Sequence, residues 1–192
     1  IGAFSFFPSK TLGGIGDGGM VATDNKESFD LIVKLKNHGQ SKNYEHVMVG
    51  HNSRLDSLNA FVLDEKLKIF NQIKEGRENF FKFYIKNFSN ISWLDLPIKD
   101  SENTLLNYFT VTLSPDVRNK LSNYLNDNGI SNSIYYKKPI HLQEALLKFI
   151  NQPQKLPKTE IASKTVLSLP YYSLPTDQEL DYLLSKFKAF KP

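Results

Sequence analysis

The period of the apolar positions changes several times along this chain. Residues 3–7 (Ala-Phe-Ser-Phe-Phe) form a short apolar run and predict a buried strand. Residues 18–23, with Gly19-Met20-Val21-Ala22 at their centre, predict a second. Asp24 followed by Glu27 resembles a capping box. A helix then runs to about Lys36, with Phe29, Ile32 and Val33 on one face. Residues 37–53 are polar and show no period; they hold three of the four histidines, His38, His46 and His51. Leu55, Leu58, Val62, Ile69 and Ile73 fall near one stripe and predict a long helix continuing past Gly76 to about Asn87.

Residues 105–113 alternate and are rich in Thr, Tyr and Phe, so they predict a strand. Ser114-Pro115 marks an N-cap with proline at the first helical position. Leu121 and Leu125 set that helix's apolar face, and Gly129 ends it. Residues 133–136 predict a short strand. Thr176 and Glu179 form another capping box, and Leu180, Leu183, Leu184 and Phe187 give the spacing of a docked C-terminal helix. The character of the pattern changes near residue 75, within the long helix, which places a domain boundary between residues 1–75 and 76–192.

Composition narrows the classes. An apolar content of 40% is ordinary for a soluble globular protein. No apolar run is long enough for a transmembrane helix. Cysteine is absent, which excludes disulfides and thiolate metal sites and fits a reducing cytoplasm. The net charge is +4, but the 24 basic residues are scattered among Asp and Glu, so no nucleic-acid stripe emerges. The spacing of His38, His46 and His51 does not suit a helical zinc pair, so no metal is expected. No Gly-x-Ser-x-Gly elbow is present for a serine hydrolase. The chain opens on Ile1, directly before an apolar segment, as if from the middle of a gene product.

The chemistry concentrates around Lys10. It follows Ser5-Phe6-Phe7-Pro8-Ser9 and precedes a turn containing Gly13, Gly14, Gly16, Gly18 and Gly19. An imine-forming lysine needs surroundings that keep its amine partly neutral and hold an aldehyde close. Phe4, Phe6, Phe7 and Leu12 are the apolar residues at hand, and the Ser5 hydroxyl suits a phosphate. Glycines mark backbone that turns tightly or approaches something closely. A tight turn carrying an exposed lysine is the plain alternative for this segment alone.

The wider sequence resembles the DegT-type sugar aminotransferases, fold-type I enzymes that use pyridoxal phosphate (PLP). In that family a Ser-Phe-(three residues)-Lys segment, followed by a Gly-Asp/Glu-Gly-Gly turn, carries the imine-forming lysine. Ser5-Phe6 through Lys10 and Gly16-Asp17-Gly18-Gly19 match it. A second match is Asn37-His38-Gly39-Gln40 with Gly50-His51-Asn52-Ser53-Arg54-Leu55-Asp56. A third is Ser133-Ile134-Tyr135-Tyr136-Lys137-Lys138-Pro139-Ile140-His141-Leu142-Gln143, in which Tyr135 and Lys137 replace the usual histidine and proline. Leu156-Pro157-x-x-Glu160, Leu167-Ser168-Leu169-Pro170 and Leu174-Pro175-Thr176 complete the series.

The resemblance implies an α/β chain: the end of a large PLP-binding domain (1–75, incomplete) plus a small α+β domain (76–192). It implies that Lys10 forms the imine, that Ser5 contacts the phosphate, and that Asn52 reaches the phosphate of the neighbouring subunit in a homodimer with shared active sites. Asn52 is also a candidate helix N-cap. Arg54 is implied in substrate contact or an interface salt bridge, and Tyr136 and His141 in the sugar-nucleotide site; a histidine such as His141 also serves structure. The implied reaction moves an amino group, from glutamate, to a nucleotide-linked keto sugar for surface-glycan (polysaccharide, O-antigen) biosynthesis. Lysine at position 10, where some relatives carry a dehydratase histidine, argues for transamination. UDP-3-keto-N-acetylglucosaminuronate is the nearest substrate, with dTDP-3-keto-6-deoxyhexoses as competitors. The acid and ring cover for the pyridine precede the lysine in this family, so these 192 residues alone are expected to bind PLP poorly. An inactive fragment and a regulatory, sensing protein stand as alternatives.

Overall fold

In the computed structural model, which describes residues 1–97, 105–149 and 154–192, the chain divides into two units, Ile1–Asn71 and Gln72–Pro192. The first opens with an antiparallel hairpin. β1 (Gly2–Ser5) pairs with β2 (Gly19–Ala22), from Gly2 opposite Ala22 to Ser5 opposite Gly19. The strand predicted as buried over 3–7 thus stops at Ser5, and Phe4 and Phe7 remain about half exposed (51% and 50%). A two-stranded ribbon has too little area to bury its side chains on both faces.

α1 (Lys26–Lys36) is capped by Asn25, not Asp24: Asn25 Oδ1 accepts from the Ser28 N–H at 2.7 Å. The predicted capping box fails because Glu27 then stands at the second helical position, one short of the reach-back site. The segment expected to be irregular holds a small hairpin, β3 (Gln40–Lys42) against β4 (Glu45–His46). Strands this short show no period in a polar sequence.

The long helix predicted over 55–87 is two helices, α2 (Ser57–Lys68) and α3 (Phe70–Phe88), broken at Ile69, whose ψ of 15° leaves the helical range. The apolar stripe carries across the break, so periodicity alone cannot reveal it. α2 starts at Asp56, whose carboxylate accepts from the Leu58 and Asn59 N–H groups.

The second unit is built on β5 (Phe109–Thr112) and β6 (Val166–Leu169), antiparallel from Phe109 opposite Leu169 to Thr112 opposite Val166. Alternation puts Phe109 and Val111 fully inside. α3 lays Phe80, Tyr84 and Phe88 over them, spaced one helical turn apart, and the Tyr84 and Phe109 rings stack at 4.1 Å. α4 (Pro115–Asp127) adds Leu121 and Leu125. It starts at Ser114 with Pro115 in its first turn and ends before Gly129 at φ +70°. The strand predicted over 105–113 is confined to β5. The one predicted over 133–136 reduces to a bridge, in which Ser133 exchanges backbone bonds with Ser168 at 3.0 and 2.7 Å before the chain turns. A 3-10 turn (Ile140–Leu142), α5 (Glu144–Leu147) and α6 (Pro157–Thr165) lead to β6. α7 (Asp177–Ala189) carries the predicted Thr176–Glu179 capping box and buries Leu183 and Phe187.

Candidate active site

Lys10 sits in the connection between β1 and β2. Pro8 presets a turn in which the Lys10 N–H donates to the Phe7 carbonyl at 2.9 Å. The base of the connection is closed twice at Phe6: its N–H donates to the Gly18 carbonyl and its carbonyl accepts from the Gly14 N–H, both at 2.8 Å. Lys10 is half-buried in this setting, beside a hairpin whose Phe4 and Phe7 are not enclosed. Ser5, at the end of β1, is exposed, and its Oγ accepts from the Phe7 N–H at 3.3 Å. That bond uses an oxygen lone pair and leaves the hydroxyl proton to donate elsewhere.

Asn52 and Arg54 are presented together by the segment between β4 and α2. Backbone bonds fasten this segment to the end of α1: His51 N–H to the Leu35 carbonyl (2.7 Å) and Ser53 N–H to the Lys36 carbonyl (2.9 Å). Asn37 and Asn52 bridge between them. Gly39 and Gly50 permit the closeness, since a Cβ on Gly50 would lie 2.1 Å from the Gly39 nitrogen. Asn52 does not cap α2; Asp56 does. Instead the Arg54 Nε donates to Asn52 Oδ1 at 3.1 Å. A guanidinium only donates, so this contact assigns the amide oxygen inward and leaves the Asn52 NH2 for an acceptor. Both side chains are exposed at a concavity shared with Leu55, Asp56 and Ser57.

In the second unit, Tyr136 and His141 line an open cleft of about 680 Å³ with Pro139, Gln143, Leu156 and Val166. His141 Nε2 lies 3.2 Å from Glu160 Oε1, which also accepts from the Leu156 N–H at 3.0 Å. The Leu156 N–H first, then His141, hold the Glu160 carboxyl below its ordinary pKa. The Tyr135 ring packs against Tyr108 at 4.6 Å and Tyr136 at 5.4 Å. The first unit thus holds Ser5 with Lys10 on one segment and Asn52 with Arg54 on another, and the second unit holds Tyr136 with His141.

Lys10 and Ser5 supply an amine and a hydroxyl, and Asn52 with Arg54 supplies an amide NH2 and a guanidinium. Such a set fits an anionic group bearing an aldehyde, as PLP is. Among the described residues no cluster of three His, Asp or Glu is placed to hold a metal ion, and no helix is long and apolar enough to cross a membrane. Two residues at this site escaped the sequence reading. Asn59 is buried and bonds to the glycine turn at three points, and the Lys66 ammonium donates to the Gly13 carbonyl at 2.6 Å. The one available signal was a short amide inside an apolar helical run, where asparagine is disfavoured.

The family model described as "DegT/DnrJ/EryC1/StrS aminotransferase family" matches residues 1–188. A pleiotropic regulatory protein of Geobacillus stearothermophilus is 30% identical over 188 residues, covering 97% of this chain and 50% of that protein. A UDP-N-acetyl-3-dehydro-alpha-D-glucosamine 3-aminotransferase of Acidithiobacillus ferrooxidans is 35% identical over 176 residues, covering 90% and 46%. Among solved structures, NtdA of Bacillus subtilis, with bound cofactor PMP, matches with a TM-score of 0.86 at 27% identity, covering 97% of this chain and 45% of that one. The chain spans about half the length of the curated relatives it matches.

Proposed function

Since the chain belongs to the DegT/DnrJ/EryC1/StrS aminotransferase family, we propose that its protein is a PLP-dependent transaminase that aminates a nucleotide-linked keto sugar. The observation that carries the reading is Lys10, half-buried in a pinned loop one short turn from a serine hydroxyl with a free proton. PLP, when bound, supplies an electron sink for the carbon that gains or loses nitrogen. Lys10 Nζ would hold the aldehyde carbon of the cofactor and, as a free amine, would serve to move the proton at the reacting carbon. The Ser5 hydroxyl donates to the phosphate. The Asn52 amide, with its oxygen held by Arg54, donates to the phosphate of a second copy in a homodimer. Arg54 adds positive charge beside it and is placed for an anionic substrate group.

The finer assignments follow from the same reading. Tyr136 and His141 contact the sugar nucleotide, and Glu160 holds the imidazole in place. The substrate is a UDP-linked 3-keto sugar such as UDP-3-keto-N-acetylglucosaminuronate, supported by the 35% identity to a UDP-sugar 3-aminotransferase. Glutamate is the donor, the protein works in the cytoplasm, and the product enters surface-glycan synthesis. The name of the regulatory relative supports a second reading, a sensor that binds PLP without turnover. Domain limits of 1–75 for the PLP-binding part and 76–192 for the small part complete the proposal.

Borohydride reduction of the full-length protein with PLP, followed by peptide mass spectrometry, tests the imine. A pyridoxyl adduct on Lys10 is expected; its absence refutes the reading. Loss of amino transfer to keto-sugar nucleotides in Lys10→Ala separates enzyme from sensor, because a sensor has no turnover to lose.

A further inference from the structure

Asn59 lies in the first turn of α2 and is 4% exposed. Its Oδ1 accepts from the Ile15 N–H at 3.0 Å, and its Nδ2 donates to the Gly16 and Asp17 carbonyls at 3.3 and 3.2 Å. The three contacts fix the amide orientation without ambiguity: an N–H must face oxygen, and two carbonyls must face the NH2. Gly14 is shaped to this side chain, since a Cβ there would stand 2.0 Å from Asn59 Oδ1. About two turns further along α2, Lys66 holds the Gly13 carbonyl. Gly13 in turn packs on the peptide of the Pro8 turn, where a Cβ would meet the Pro8 carbonyl oxygen at 2.4 Å. Contacts therefore run from Asn59 and Lys66, through Gly13–Asp17, to the turn that presents Lys10.

We infer that Asn59 is a positioning residue for Lys10: its amide sets the glycine turn against α2 and so fixes where the lysine amine meets an aldehyde. This rests on the proposed role of Lys10. A buried amide is suited to the task because it satisfies one donor and two acceptors of a turn that has no strand partner there. The same helix begins at Asp56, directly after Asn52 and Arg54. Its first turn thus joins the two segments proposed to hold the cofactor.

The test is Asn59→Leu in the full-length protein, a change close in shape that removes both the acceptor for Ile15 and the two donations. Two readouts are taken without turnover. Amide hydrogen exchange at Ile15 in protein free of added PLP reports the anchor. The share of borohydride-fixed pyridoxyl adduct on Lys10, against all other lysines, reports the positioning. Loss of these bonds is expected to speed Ile15 exchange about tenfold and to cut the Lys10 share about tenfold. The Val111 amide in β5 serves as the folding control and should not change. Lys66→Met, which frees Gly13 alone, should lower the Lys10 share while leaving Ile15 protected. Unchanged Ile15 exchange in Asn59→Leu overturns the anchor. Faster Ile15 exchange with an unchanged Lys10 share overturns the positioning role. Absence of any Lys10 adduct in the wild type instead overturns the imine reading itself, and the proposal with it.

Discussion

A methyl group added at Gly39 would lie 1.8 Å from the Met48 carbonyl oxygen, and the residue also sits at φ +71°. Both features oppose any side chain, so Gly39→Ala is expected to cost about 2–3 kcal/mol, read as a lower urea midpoint. The cost falls on the segment that presents Asn52, because the Gly39 N–H closes onto the Lys34 carbonyl at 2.8 Å. A different single group sets a pH response. The folded-state pKa of Glu160 is depressed, so the unfolded chain binds the proton more readily. Its contribution is therefore complete above the ordinary carboxylate range and is lost as pH falls through the folded value. Glu160→Gln should flatten that part of the acid limb of a melting-temperature profile measured below about pH 5. An equally steep limb in the variant would remove Glu160 from the explanation. At this scale Lys10 and Ser5 stand out in the sequence as candidates because their types and spacing suit imine and phosphate chemistry. Asn59 was not, because its meaning lies in three partners more than forty residues away in sequence.

Elements were legible where a cap and a period agree. α7 shows both: Thr176 Oγ1 accepts from the Glu179 N–H at 3.2 Å, while Glu179 accepts from the Thr176 N–H at 2.7 Å. The Thr176 N–H first, then its hydroxyl, which donates to the same carboxylate oxygen at 2.8 Å, hold the Glu179 carboxyl below its ordinary pKa. Thr176→Ala is expected to cost about 1 kcal/mol and to lower the melting temperature followed by far-ultraviolet circular dichroism, whereas Thr176→Ser should retain most of it. The same pattern misled at α1, because Asp24 and Asn25 are both good caps and adjacency hides which one is used. It misled again at Ile69, where backbone dihedrals break a helix that the side-chain stripe continues. The hairpin of β3 and β4 left no trace in the hydropathy pattern, since its strands are exposed on both faces.

The two units hold themselves together differently. In Ile1–Asn71, Leu63 is the one buried apolar side chain among the described residues, and order comes from close backbone contacts at glycines and from Asn59 and Lys66. In Gln72–Pro192 an aromatic core does the work, and its members were visible in sequence as periodic apolar positions, though not their pairing. Tyr84 is the clearest case. It is fully buried, its ring lies between Phe80 at 4.9 Å and Phe109 at 4.1 Å, and its hydroxyl donates to the Pro170 carbonyl at 2.7 Å. Burial pushes the Tyr84 phenol well above its usual pKa, so it stays a donor across the working range. Tyr84→Phe leaves the carbonyl without that donor and should cost about 1–3 kcal/mol. Phe109→Ala opens a cavity between β5 and α3 and should cost about 3–5 kcal/mol. The rings touch, so the double variant should fall short of or exceed the sum by about 0.5 kcal/mol or more. Trp93, the single tryptophan, packs on Phe190 at 5.3 Å within the same unit, so its fluorescence during urea unfolding follows this core. Denaturation midpoints that shift in the order wild type, Tyr84→Phe, Phe109→Ala are expected, and an unshifted Phe109→Ala midpoint would show that the core does not depend on the stack.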